Sequence, residues 1–465
     1  MNMINVRRLT VMTFLGAGML SGISAQVSPL QVDTLKETKI PDQWDLQSCI
    51  DYAKEQNITI RKNRITAVST QIDVKTAKAA MFPSLSFSTG QQVVNRPYQE
   101  TSSRVSGSEI ISSNSKTSYN GNYGLNASWT LYNGNKRLKT IQQEKLNNQM
   151  AELDVATSEN NIQESIAQVY IQILYAAESV KVNENTLQVS IAQRDRGQEL
   201  LNAGSIAKSD LAQLEAQVST DRYQLVTAQA TLEDYKLQLK QLLELDGENE
   251  MNIYLPALSD ENVLAPLPTK RDVYISALSL RPEIEASKLN VEASELGINI
   301  AKSSYFPTIS LSAGIGTNHT SGSDFTFGEQ VKNGWNNSIG LSVSVPIFNN
   351  RQTKSAVQKA KLQYETSMLS LLDEQKALYK TIESLWLDAN SAQQRYAAAN
   401  EKLKSTKISY ELISEQFNLG MKNTVELLTE KNNLLQAQQE QLQAKYMAIL
   451  NTQLLKFYQG DQLAL

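Results

Sequence analysis

Apolar and polar residues alternate strictly along four short stretches of the chain and recur at intervals of three and four along most of the rest. Leu85 and Phe87 alternate with Ser86 and Ser88, and Leu125, Ala127, Trp129 and Leu131 with Asn126, Ser128 and Thr130. In the second half, Ile309, Leu311, Ala313 and Ile315 alternate with Ser310, Ser312 and Gly314. Ile339, Leu341, Val343, Val345 and Ile347 do so with Gly340, Ser342, Ser344 and Pro346. A period of two predicts strands, placed at about residues 84–92, 121–132, 308–317 and 338–348, each with one apolar and one small polar face. Strands of about nine to eleven residues with such faces suit a wall between lipid and water. The connections at about residues 93–120 and 318–337 are rich in Ser, Asn, Gly and Thr and read as extracellular loops. His319 lies in the second and is expected to be exposed and solvated.

The remaining periodicity is helical. After Asn133-Gly134 it continues to about Asn202, and after Asn349-Asn350 to about Asn418, with Ile162, Ile166, Val169 and Ile173 marking one apolar stripe. About 65 residues at 1.5 Å each make a rod on the order of 100 Å long. Shorter helices are predicted at about residues 44–81, 207–245, 270–304 and 423–458. Two of these end to end match one rod, which predicts side-by-side packing. Gly204 and Gly420 fall at the hairpin turns, where a left-handed residue is needed. Leu255-Pro256 and Ala265-Pro266-Leu267-Pro268 break the pattern between the halves.

These elements form an internal repeat. Met81-Phe82-Pro83-Ser84 corresponds to Tyr305-Phe306-Pro307-Thr308, and each Phe-Pro marks a change from helix to strand, because proline disfavours the helical region for the residue before it. Asn133 to Asn349 and Gly204 to Gly420 are each separated by 216 residues. The expected organisation is a first repeat over residues 44–256, a mid-body connection over 257–269, a second repeat over 270–459 and a tail over 460–465.

Composition narrows the possible partners. The 465 residues carry 44 Lys and Arg against 48 Asp and Glu, a net charge of −4, so nothing recommends nucleic acid as a ligand. Arg7 and Arg8 precede an apolar run from Leu9 to Leu20 and then the small residues Ser21, Gly22, Ser24 and Ala25, the order of an export signal cleaved after Ala25. Residues 26–43 are expected to be an extended segment. The lone cysteine, Cys49, has no intramolecular disulfide partner and is expected to be a small buried residue. Four strands cannot close around a lumen, since single-chain barrels begin near eight. Three chains would supply 12 strands, and a homotrimer is the expected assembly.

The order helix, Phe-Pro, strand, long loop, strand ending in Asn133-Gly134-Asn135, long helix, Gly204-centred hairpin and shorter helix, then repeated, resembles the TolC family of outer-membrane factors. The resemblance covers about residues 44–455. It implies a mainly α fold with a β-barrel portion: a trimeric 12-stranded barrel in outer-membrane lipid, continuous with a long periplasmic α-helical barrel. It also implies a passive duct in tripartite efflux or type I secretion. Such a duct would accept substrate from an inner-membrane pump of RND or ABC type through a periplasmic adaptor, a membrane fusion protein. On the same footing Phe417, Lys422 and Glu426 match a periplasmic gate, while Thr429 stands where the family carries a second acidic residue, with Glu430 beside it. Gly204, Ser205, Ile206, Gly420 and Met421 match the distal hairpin tips that contact the adaptor. Read without the family, Lys422 and Glu426 make an ordinary i, i+4 surface pair.

Catalysis has little support. One histidine and one cysteine leave no zinc-protease helix, no Cys-His pair and no usual phosphate loop, so no cofactor or metal is expected. A trimeric adhesin or structural coiled-coil envelope protein would also combine export with long helices, but would not need the duplicated strand pairs.

Overall fold

Two helices of identical length dominate the computed structural model, which describes residues 41–98, 102–106, 109–113, 116–246, 251–256, 263–321 and 325–464. The expected export signal lies outside these residues, as do most of the segment 26–43 and residues 257–262. The elements run α1 (Leu46–Gln56), α2 (Ile58–Ala79), β1 (Ser84–Asn95), β2 (Ser102–Ser106), β3 (Glu109–Ser113), β4 (Thr117–Asn133), α3 (Lys136–Asn202) and α4 (Lys208–Leu242). The second half continues with α5 (Lys270–Leu280), α6 (Pro282–Ser303), β5 (Thr308–Thr320), α7 (Phe327–Asn333), β6 (Asn336–Ser344), α8 (Gln352–Asn418) and α9 (Thr424–Gln459). Both α3 and α8 have 67 residues, and each begins after two left-handed positions, Gly134-Asn135 and Asn350-Arg351.

The antiparallel sheet has the order β1-β4-β5-β6. Cross-strand partners share a face. The rows Leu85, Ala127, Ala313, Ile339 and Phe87, Leu125, Ile315 make one face apolar. Ser86, Asn126, Gly314, Ser338 and Ser128, Ser312, Gly340 make the other small and polar. The apolar face is uncovered, with Ile339 79% and Leu85 69% exposed. Two ends differ from the sequence pattern. β6 stops at Ser344, because Pro346 has no N–H to give the ladder. β1 and β4 extend into the expected loop and pair as far as Asn95 with Thr117, beyond which β2 and β3 form a small hairpin.

His319 also differs from expectation. It lies on β5 and is buried, enclosed by Tyr119 and Tyr123 of β4 and Phe327 of α7. Its burial is tertiary in origin: Gly121 opposite leaves room for the ring, since a Cβ there would lie 2.5 Å from it.

The predicted helices at 44–81 and 270–304 are each interrupted. Asn57 turns out of the helix and caps the next one through Thr59 and Ile60 N–H, while Arg281 is held extended by Pro282. The short helices stack end to end beside the rods. Asn57 Nδ2 donates to Leu242 O at 3.0 Å, joining the start of α2 to the end of α4. Arg281 packs 4.3 Å from the Tyr458 ring, joining α6 to the end of α9. α3 packs along α2, α4 and α6, and α8 along α6 and α9.

The main core gathers Trp44, Cys49, Tyr170, Ile171, Leu239, Tyr446 and Leu450 where these helix ends meet. Tyr170 Oη donates to Tyr254 O at 2.6 Å, so this buried hydroxyl is satisfied. Burial pushes the Cys49 thiol up to about 12, which leaves it an inert packing residue. Among the described residues no helix is long and apolar enough to cross a membrane.

Candidate functional site

The rods turn back on themselves in two hairpins built alike. α3 ends as Gly204 N–H donates to Leu201 O at 2.9 Å and Ser205 N–H to Leu200 O at 2.8 Å. α8 ends as Gly420 N–H donates to Phe417 O and Met421 N–H to Gln416 O, both at 2.9 Å. These paired bonds close a helix through a left-handed residue. Gly204 and Gly420 have φ of 72° and 73°, and a Cβ at either would meet nothing within 4 Å. Glycine is needed for its backbone angle, not for space.

The returning helices are capped by carboxylates. Asp210 Oδ2 accepts from Ala207 N–H at 3.0 Å. Glu426 Oε2 accepts from Asn423 N–H at 3.2 Å, while Asn423 Oδ1 accepts from Glu426 N–H at 2.9 Å, a reciprocal capping box. The predicted tip residues Gly204, Ser205, Gly420 and Met421 are exposed, Met421 at 71%, and Ile206 is half-buried.

Of the predicted gate residues, two meet. Lys422 Nζ lies 2.6 Å from Glu426 Oε1, four residues along the chain. That hydrogen bond, then the one from Asn423 N–H, hold the Glu426 carboxyl below its usual range. Glu426 is therefore at once a helix cap and the partner of Lys422. Phe417 sits apart from both, 3% exposed and packed with Leu214 and Leu427, with Leu200, Tyr410, Ile413 and Leu428 around them. It fills the space between the hairpins. Thr429 donates its hydroxyl to Val425 O at 2.8 Å and carries no charge to double the acidic position.

A polar cluster about three turns from the tips escaped the sequence reading. Lys431 on α9 hydrogen-bonds both Asp221 on α4 and Ser190 on α3, and Ser190 also bonds Asp221. Gln217 Nε2 donates to the other Asp221 oxygen at 2.9 Å. Side-chain exposure is 3% for Lys431 and 1% for Asp221. Burial pushes the Lys431 ammonium down from its usual range and Asp221 pulls it back up. The available signal was position: Lys431 interrupts the apolar stripe Leu427, Leu435, and Asp221 follows Leu214 and Val218 on another.

Comparison with known proteins agrees with this architecture. The outer membrane efflux protein BepC of Brucella suis is 24% identical over 294 residues, 63% of this chain and 61% of its own length. Outer membrane protein TolC of Escherichia coli is 24% identical over 294 residues, 61% of this chain and 58% of its own length. The chain thus matches about three-fifths of the length of these relatives. The crystal structure of CusC superposes with a TM-score of 0.75 at 18% identity, covering 90% of this chain and 92% of that one, and so shares the fold. The family described as outer membrane efflux protein matches residues 49–244 and 273–460, one segment in each half, and the chain belongs to that family.

Proposed function

We propose that three copies of this chain form a passive export duct in the outer membrane, extended by helical rods into the periplasm. The carrying observation is the sheet. Its apolar face is bare and both its outer strands, β1 and β6, have an unpaired edge. In hydrocarbon each unpaired backbone group costs several kcal/mol, so such a sheet persists only when closed. Edge-to-edge closure of three copies of the four-stranded sheet gives 12 strands with the Ser, Asn and Gly face lining a wet lumen. Two copies would give eight, too narrow for a duct. The rods point the same way: Leu362, Leu369 and Leu372 on α8 and Ile58, Ile65 and Ile72 on α2 are exposed at helical spacing, as surfaces awaiting a neighbouring copy are.

In this reading the hairpin ends form the periplasmic mouth. Lys422 and Glu426, brought to one level by threefold symmetry, form its charged constriction, and Phe417 holds the two hairpins together behind it. The tips around Ser205 and Met421 meet a periplasmic adaptor, which connects the duct to an inner-membrane pump. Efflux or secretion of solutes follows, with no reaction catalysed by the duct. The names of the relatives support the export role.

The mass of the protein purified in detergent tests the assembly. A complex of three times the chain mass is expected. A stable monomer would sink the duct.

A further inference from the structure

The buried cluster of Lys431, Asp221 and Ser190 serves no purpose that export or the charged mouth has so far required. We infer that it is a clamp that fixes the level at which the hairpins part: the tips swing below it while the rods above stay joined. The inference rests on the gate reading above and adds a pivot to it.

The argument starts from the cost of burial. A buried charge is tolerated when it is paired and hydrogen-bonded, and removing its partner is strongly destabilising. Lys431 and Asp221 are both almost fully enclosed, whereas the other ion pairs at this end, Lys422 with Glu426 and Lys402 with Glu440, are about a third or more exposed. The cluster also joins the right elements. Ser190 and Asp221 belong to the two arms of the first hairpin, and Lys431 to the returning arm of the second. Nearby, Gln193 Nε2 of α3 donates to Tyr410 Oη of α8 at 2.9 Å, which ties in the fourth arm. Separating the hairpins here would strip both charges of their partner at once.

Nearer the tips nothing comparable crosses. The Lys422–Glu426 bridge stays within one hairpin, and the cross-hairpin contact is the apolar cluster of Phe417, Leu214 and Leu427. Apolar contacts are non-directional and can slide in a way that a hydrogen-bonded ion pair cannot. The lever is short. Lys431 lies 11 residues beyond Gly420, and Ser190 lies 14 before Gly204, arms of about 16 and 21 Å at helical rise.

The experiment is single-channel recording of the assembled protein in planar bilayers, with three variants. Lys431→Met/Asp221→Leu removes both charges and keeps the volume, avoiding the unpaired charge that could unfold a single variant. Its open dwell times are expected to lengthen by on the order of tenfold, a typical coupling between distant elements. Lys431→Asp/Asp221→Lys re-pairs the charges and is expected to restore short openings. Glu426→Ala tests the gate itself through ion selectivity. If selectivity responds to Glu426→Ala while the charge-free double variant keeps wild-type dwell times and shows only a lower melting temperature, the cluster is a structural pin and the clamp is overturned. If Glu426→Ala leaves selectivity unchanged, the gate reading fails first and the clamp with it.

Discussion

The two hairpins share a backbone and differ in their side chains. Positions 216 apart repeat the turn almost atom for atom: Gly204 with Gly420, Ala207 with Asn423, and the capping carboxylates Asp210 with Glu426. Around that common frame Ile206 is replaced by Lys422, Leu201 by Phe417, and exposed Glu215 by buried Lys431. Asp221 corresponds to buried Ala437. Turn geometry is a demand of the backbone and is met identically twice. Chemistry that must be asymmetric, a charged constriction on one hairpin and a cross-hairpin ion pair, sits where the copies diverge.

The largest effect that could break this comparison is at the buried pair. Asp221→Ala leaves Lys431 enclosed and unpaired and should cost about 3–5 kcal/mol, whereas Glu215→Ala, at the twin of Lys431, should cost almost nothing. Thermal melts of the assembled protein followed by circular dichroism compare them. Equal shifts would mean that the asymmetry is ornamental. Next, Phe417→Ala should cost about 3 kcal/mol by emptying the space between Leu214 and Leu427, and Leu201→Ala at its half-buried twin clearly less. The turn itself predicts symmetry. Gly204→Ala and Gly420→Ala should each cost about 1 kcal/mol, because both need a left-handed residue and neither lacks room. A marked difference between the two melts would contradict the shared frame.

A smaller effect distinguishes the second hairpin by pH. Glu426 has its carboxyl lowered from an ordinary value of 4.5, so its bonds to Lys422 and Asn423 are fully present above that value. They are lost as the pH falls through the lowered value. Closed-state dwell times in a bilayer should therefore stay constant down to about pH 4.5 and shorten only below it. Shortening centred near neutral pH would point to a different group.

Much of the fold was legible because it rests on local rules said twice. Phe82-Pro83 and Phe306-Pro307 end helices in any context, and the alternation from Leu125 to Leu131 announces a strand with two unlike faces. The failures have tertiary causes. Asn95 and Thr117 belong to the ladder because each finds a partner across the turn, which their polar side chains do not advertise. His319 is enclosed by rings from Tyr119, Tyr123 and Phe327, brought to it by strand pairing and by α7. The interruption at Pro282 could have been seen, since proline removes a helix donor, but its counterpart Asn57 needed the cap geometry to reveal it. In the candidate site, the glycines and the Lys422–Glu426 spacing were readable. The partnership of Lys431 with Asp221, 210 residues away, was not, because only the packing of α3, α4 and α9 brings them together.

The central claim, that divergence between matched hairpins carries the gate, is tested most directly by recording Glu426→Ala and Asp210→Ala channels side by side. Both substitutions remove a capping carboxylate at equivalent positions, so any loss of helix capping is common to the pair. Glu426→Ala is expected to weaken cation preference and block by divalent cations, while Asp210→Ala leaves both as in the unaltered channel. Equal responses from the two, or no response from Glu426→Ala, would contradict it.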